Sequence, residues 1–510
     1  MNSVLKFPVP SHLFLRYNNE KQPHRTKSGK EHRNMELVFP LNEKERVDAL
    51  LDAQKKFFRT NVTLNVDWRI TQLKKLKKAL NQYRPQIEAA LSEDLGRTGT
   101  EAYFCDIGPS FVSINEAIHN LKHWAKPETH FSGVMCFPSM VTKVYKMPYG
   151  TTLLISPYNF PIFLSLGVLT ASLAGGNTAV IKASSKSPAC TAVLKELIHS
   201  IFPPEYVAVA DGGHEVADLL LDARFDKIFY TGSPKVGTHI LSKAAKNLIP
   251  TALELGGEAG NWCVIRADAD LKDAARKIAF FKLCNSGQIC IDINQIAVAE
   301  EVADAFLTEL KKAYEKQIGP SPLQNTEYPH LISSQAFEKC REEAANYANR
   351  IVYGGHGDSV SRRFEPTILY PVSLEEDLVQ HELFSPLLPV VPFPDGEIDR
   401  ILDTIASREH GLALYLFTRD ITWAKRVMST QQYGGGCINE VCLQLMVKKV
   451  PFNGTGHSGM GAYHGEWGFR EFTHPSTVLI GSTKGNLPLR EHPYTGKGAW
   501  KKHLIRLMER

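Results

Sequence analysis

The stretch TTLLISPYNFPIFLSLGVLTASLAGGNTAVIKASSKSPACTAVLKELIHSIFPPEYVAVA, residues 151–210, decides the fold class of this 510-residue chain. Short β-branched runs at Thr151–Ser156, Thr178–Lys182 and Val207–Ala210 alternate with longer segments of helical texture. Strands spaced by helices predict βαβ units, hence a parallel sheet with right-handed crossovers. Pro188–Ile201 is a predicted helix, with Ser187 as its N-cap and Pro188 at the first helical position, where a missing N–H costs nothing. Strands at Lys227–Tyr230 and Thr251–Leu255 and a helix over Val236–Lys246 continue the alternation. A second α/β stretch follows from about Glu258 to Met446, with helices near 271–284 and 302–317. Upstream, from Asn42 to about Trp124, Val47, Leu50, Leu51 and Phe57, then Ile70, Leu73, Leu76 and Leu80, recur at helical spacing. The expected fold is α/β with two Rossmann-like domains.

Composition narrows the class. Hydrophobic residues are 43% and charged residues 22%, ordinary for a globular protein, and 510 residues exceed what one core serves, so two or more domains are expected. The formal net charge of +5 is small for this length and points to no polyanion. Nine cysteines, odd in number and without CxxC pairs or Cys/His clusters, argue for a reducing compartment and against disulfides or structural zinc. Phe7, Pro8 and Pro10 break any signal-peptide pattern, and no apolar run approaches a membrane span, so a cytoplasmic location is expected. Residues 1–34 read as a disordered extension, which makes Met35 a candidate translation start.

Four motifs carry chemistry. In NSGQIC, 285–290, Gly287 and Gln288 form an irregular turn past a helix end, suited to presenting the Cys290 thiol; alone, a cysteine is as well read as a small buried hydrophobe. In LELGG, 253–257, Glu254 interrupts an apolar strand, which is costly unless the carboxylate is paired or functional. It is either satisfied by an amide or lysine, or a general base of raised pKa. In YTGSPKVG, 230–237, Gly232, Ser233 and Gly237 mark a strand-to-helix turn whose amides favour an anion, though it is not GxGxxG. In ISPYNFP, 155–161, Asn159 either completes a turn or donates to a developing oxyanion.

Together with ELFSP, 382–386, these segments stand in the order and approximate spacing of the aldehyde dehydrogenase superfamily, and the chain resembles it over about 40–495. PFNGTGHSGMGAYHG, 451–465, and WRITQLKKLKKAL, 68–80, are most similar to its class 3 branch of fatty, aromatic and coniferyl aldehyde dehydrogenases. The resemblance implies NAD(P)-dependent aldehyde oxidation through a thiohemiacetal and thioester, with Cys290 as nucleophile, Glu254 as general base, Asn159 in the oxyanion hole and no metal. It implies that NAD or NADP is held by Lys182, Ser185, Gly232, Ser233, Gly237, Glu382 and Phe384. It also implies a cofactor-binding domain of 35–139 and 151–252 and a catalytic domain of 253–447. A bridging element at 140–150 and 448–485 is implied, with strands Val141–Met147 and Thr477–Ile480 making a homodimer, and a tail at 486–510.

Departures are several: Glu258 replaces the usual lysine, Ser385 and Asn453 replace glycines, and Ile291-Asp292-Ile293-Asn294 lacks a proline. An acyl-reducing or CoA-acylating relative is disfavoured by Glu254, and an inactive scaffold by the presence of all three catalytic positions. Trp500–Met508 reads either as a basic amphipathic helix resting on anionic lipid or as a solvated or packed tail. Where the family carries a glutamate against the 2′-phosphate this chain has Ser185, followed by Lys186. Removing a carboxylate and adding a cation relaxes the bias against NADP. Catalytic efficiencies with NAD and NADP are therefore expected to lie within roughly a hundredfold of each other; a wider margin for NAD in parallel assays defeats this expectation.

Overall fold

Neighbouring side chains on a strand point to opposite faces of its sheet, and Leu153 and Leu154 show the result. Leu153 packs with Val180, Ile228 and Leu253 beneath helices Glu43–Phe58, His214–Asp222 and Pro234–Ala245. Leu154, Ile181, Phe229 and Ala252 face the other way, into a core shared with helices Val66–Gln82, Gly108–Trp124, Phe163–Gly175 and Pro188–Ile201. Burial on both faces is why these strands are apolar almost throughout. This computed structural model describes residues 42–506 apart from 134, 135, 137 and 486. The expected extension at 1–34, the Met35 start and the last four residues of the tail lie outside the described residues.

The first sheet has the order Gly459–Met460, Thr251–Leu255, Lys227–Gly232, Thr151–Ile155, Thr178–Lys182, Val207–Ala210, parallel except for the first pair. The second runs Ile351–Tyr353, Thr367–Leu369, Leu387–Phe393, Gln295–Ala299, Trp262–Ile265, Ala413–Phe417, Gly435–Ile438, again parallel beyond its antiparallel edge. Cys263, Ile265, Ile296 and Val298 enter the core of the first sheet, so the two sheets share one interior. A third, antiparallel sheet joins Glu128–Phe131, Val141–Pro148 and Thr473–Ile480. The α/β architecture with two parallel sheets expected from the sequence is the one observed.

Local details differ from expectation for identifiable reasons. Ser187 sits at the N-cap of Pro188–Ile201, but its hydroxyl does not bond the first turn. Asp94, buried at the end of helix Arg84–Leu95, accepts from Ala189 N at 3.3 Å and Cys190 N at 2.8 Å, so a carboxylate from another helix does the capping. The helix expected from Val236 begins at Pro234, because Ser233 keeps an extended backbone and proline is preset for the first turn. Thr251–Leu255 lies wholly in the first sheet, past the 252/253 division drawn from sequence.

One buried ion pair ties the helical layer to the sheets. Arg97 Nη2 and Asp106 Oδ2 lie 2.7 Å apart with both side chains fully buried. Arg97 also donates to the Asn159 carbonyl at 3.0 Å, and Asp106 accepts from Ile162 N and Phe163 N at 3.0 and 2.7 Å, at the start of helix Phe163–Gly175. Losing one partner leaves the other charge uncompensated, which costs about 3–5 kcal/mol. Arg97→Met is therefore expected to lower the unfolding free energy by about that much in urea titrations. A loss below about 1 kcal/mol, the range of an exposed pair, refutes the clamp.

Candidate active site

Three segments remote in sequence converge where the sheets meet. Helix Leu271–Leu283 ends in a turn in which Asn285, Ser286 and Gly287 all have positive φ (50, 53 and 73°). Gly287 is required there twice, since a Cβ would collide with the Ser385 carbonyl as well as strain the backbone. The turn is pinned from several sides. Asn285 Nδ2 donates to the Asn159 and Gln288 carbonyls at 3.1 and 2.9 Å, and Asn285 N donates to Glu101 at 2.7 Å. Gln288 Nε2 reaches the Asn285 and His330 carbonyls, and its Oε1 accepts from Ile332 N at 3.0 Å. Asn261 Nδ2 donates to the Cys290 and Asp292 carbonyls, both at 2.8 Å. Cys290 is thus held half-buried at the end of an irregular turn, as the sequence suggested.

Glu254 lies on Thr251–Leu255, level with Thr231 on one neighbouring strand and Gly459 on the other. It is 2% exposed, and neither carboxylate oxygen has a partner in hydrogen-bonding geometry, so the reading of a merely satisfied glutamate fails. Burial raises its pKa to about 7, while the nearby Cys290 thiol and Thr231 hydroxyl pull it down only in part. Burial, with Glu254 and Glu382 facing it, pushes the Cys290 thiol well up. Glu382 is raised to about 8 by burial and by Glu254. The Asn159 side chain is buried and donates to the Gln288 carbonyl at 3.1 Å, which braces the turn with one of its two amide hydrogens.

Beside the thiol opens an apolar cleft, with Phe160, Phe163, Phe281, Met446, Phe452 and Tyr463 among its walls. On the other side, along the ends of the first sheet's strands, lie the expected cofactor residues. The Lys182 ammonium donates to the Ala183 and Gly212 carbonyls at 2.8 Å each, leaving its third hydrogen. Ser185 and Lys186 are exposed, and Lys186 rides 5.4 Å above the Tyr158 ring, which meets Phe384 edge-on at 6.1 Å. Gly232 is partly exposed, and exposed Ser233 caps helix Pro234–Ala245 without bonding it, so first-turn amides remain to accept an anion. Gly256 backs onto the Glu382 carboxylate, where a Cβ would collide. Gly237, one turn into the helix, is buried against Leu255 and brings helix close to strand. A dinucleotide fits this groove: bare amides for the pyrophosphate, a lysine and a carboxylate for hydroxyls.

Sequence reasoning missed the braces: Arg97 and Asp106, Asn261, and Lys282, whose ammonium lies 3.0 Å from Asp292 in the core. It also missed Tyr463, although 451–465 had been singled out. Fully buried charges in polar-looking helix ends carry no periodic signal. Among the described residues no cluster suited to a metal occurs.

Known proteins can now be set beside this geometry. The sequence profile of the aldehyde dehydrogenase family matches residues 30–478. The chain is 37% identical to the 4,4′-diaponeurosporen-aldehyde dehydrogenase of Staphylococcus aureus, covering 87% of this chain and 95% of that protein. It is 35% identical to aldehyde dehydrogenase family 3 member H1 of Arabidopsis thaliana, covering 88% and 92%. Its fold superposes on the substrate-bound state of Staphylococcus aureus AldH with a TM-score of 0.86 and 35% identity, covering 90% of this chain and 99% of the other.

The buried carboxyl has a consequence for stability. The native state holds the Glu254 proton up to about pH 7, whereas the unfolded chain releases it near 4.5. Native stability therefore falls as pH rises between those values, by about 1.4 kcal/mol per pH unit. Relative to the parent, Glu254→Gln is expected to gain roughly 1–3 kcal/mol between pH 5 and pH 8 in urea titrations. A difference independent of pH would mean the carboxylate ionises there at no cost.

Proposed function

The chain belongs to the aldehyde dehydrogenase family and oxidises an aldehyde to its acid with NAD or NADP, and from that premise we propose that Cys290 is the nucleophile, Glu254 the general base and Asn159 an oxyanion donor. The observation that carries this assignment is the half-buried thiol at the cleft facing a buried, unpartnered carboxylate. Glu254 takes the thiol proton, and Sγ bonds the aldehyde carbon to form a thiohemiacetal. The negative oxygen is met by the free amide hydrogen of Asn159 and the Cys290 N–H. NAD or NADP, when bound, supplies the acceptor for the hydride lost from that carbon, which leaves a thioester on Sγ. Glu254 gives up the thiol proton to solvent, then removes a proton from water as the water oxygen attacks the carbonyl; the C–S bond breaks with Cys290 leaving as thiolate, and the acid departs. Lys182, Ser185, Gly232, Ser233, Glu382 and Phe384 would hold the cofactor, with Gly237 setting the helix behind it.

The apolar cleft supports an aromatic or medium-to-long aliphatic aldehyde as substrate. The division into cofactor-binding, catalytic and bridging segments is supported by the three sheets, except that Thr251–Leu255 and Gly459–Met460 join the first sheet and Glu128–Phe131 the third. A homodimer is supported by the outer strand Thr473–Ile480, where Val478, Leu479 and Ile480 are 45–49% exposed on an unpaired edge. A cytoplasmic location is supported by nine free cysteines. Among the described residues no helix is long and apolar enough to cross a membrane. In the tail, Lys501 is buried, donating to the Glu491 carbonyl and lying over Tyr494, which supports packing of that helix rather than lipid contact.

Two measurements test this reading. With NAD(P)H absorbance as readout, Cys290→Ala is expected to abolish turnover. Glu254→Gln should give at most one stoichiometric burst before stalling; steady turnover by either variant overturns the assignment. Among straight-chain aldehydes, kcat/KM should rise roughly fourfold per methylene until the cleft is filled, from about 0.8 kcal/mol per buried CH2. A flat series removes the apolar cleft as the substrate site.

A further inference from the structure

Strands Thr178–Lys182 and Val207–Ala210 run side by side, with Lys182 level with Ala210. Beyond Ala210 the chain turns through Asp211-Gly212-Gly213, and the Lys182 ammonium donates to the Gly212 carbonyl at 2.8 Å. The same peptide unit carries a carboxylate on its other side: Gly213 N donates to Glu215 Oε1 at 2.8 Å. Both glycines are needed for this turn. Gly212 has a φ of 120°, and a Cβ on Gly213 would collide with the Glu215 carboxylate. One peptide unit therefore separates the ammonium from Glu215. Burial lowers the Lys182 pKa, and of the two carboxylates that offset the fall Glu215 acts more strongly than Asp211.

The charges around this turn are not all matched. Asp211 is paired with Lys195 at 3.0 Å, whereas among the described residues Glu215 has no ion pair and is exposed. Ser185, where the family holds its glutamate, brings no charge, and Lys186 leans over the Tyr158 ring at 5.4 Å. We propose that Glu215 stands in for the missing carboxylate as a specificity-determining residue, its charge disfavouring a 2′-phosphate and so favouring NAD over NADP. This rests on the reading that Lys182 holds the cofactor, at the ribose that carries the 2′ position. Capping the helix His214–Asp222 accounts for the bond to Gly213, but a cap needs only an acceptor oxygen; discrimination against a phosphate needs the negative charge. Because Glu215 lies in water, the bias is several-fold rather than absolute, and NADP remains usable.

The test is Glu215→Gln, which keeps an acceptor for Gly213 N and removes the charge. Dissociation constants for NAD and for NADP are read on the full chain from quenching of tryptophan fluorescence. NADP should bind roughly three- to tenfold more tightly than to the parent, while NAD stays within about twofold. The gain should shrink at about 1 M salt, where the Debye length falls to about 3 Å. An unchanged NADP constant, an equal change for both cofactors, or a gain indifferent to salt overturns the proposal. Lys182→Met tests the reading beneath it. If that variant binds both cofactors as the parent does, Lys182 is no cofactor ligand and the reading fails, whatever Glu215→Gln does.

Discussion

The Arg97–Asp106 pair is the constraint through which the site's other contacts run. Neither charge touches substrate or cofactor in the arrangement described. Arg97 fixes the carbonyl of Asn159, Asp106 fixes the amides that start the next helix, and the same Asn159 carbonyl anchors Asn285 at the head of the nucleophile turn. The ion pair therefore helps set the distance between the Asn159 amide and the Cys290 thiol, which lie on separate elements. Burying two charges is expensive, and their added backbone partners are what make the arrangement tolerable. A polar clamp of this kind gives one geometry where an apolar contact of the same volume would permit several.

Around that frame the proposed chemistry depends on leaving Glu254 without partners. A carboxyl satisfied by a lysine or by amides would keep a low pKa and be a poor base near neutrality. The fold supplies burial and withholds donors, at a cost in native stability above the glutamate's ordinary pKa. Asp292, in the same neighbourhood, has its pKa raised to about 6 by burial, and the charge and hydrogen bond of Lys282 offset part of that rise. One carboxylate is braced as structure, while the other is held ready to take a proton.

Much of this was legible in the sequence because it repeats with a period or sits in a motif. The parallel strands of the first sheet follow from β-branched runs, and three of them, Thr178–Lys182, Val207–Ala210 and Thr251–Leu255, have the expected bounds. Cys290, Glu254 and Asn159 could be picked out because each disturbs its surroundings: a thiol after a Gly-Gln turn, an acid in an apolar strand, an amide between prolines. The braces were not legible. Asp94 as a cap and Asn261 under Cys290 act across long stretches of chain, where neither spacing nor local propensity carries information. Ser187 was misread for the same reason, since a distant carboxylate outcompetes a local hydroxyl.

The strand Gly459–Met460 also orders events in time. Glu254 acquires its outer neighbour from a segment made about two hundred residues later, so during synthesis the edge beside the base stays open until nearly the whole chain has emerged. The segments that carry Cys290 and Asn159 are made well before then. Until that pairing forms, the strand carrying Glu254 lacks one of its two neighbours. The edge of the Glu254 strand is thus closed by one of the last elements of the fold to be made.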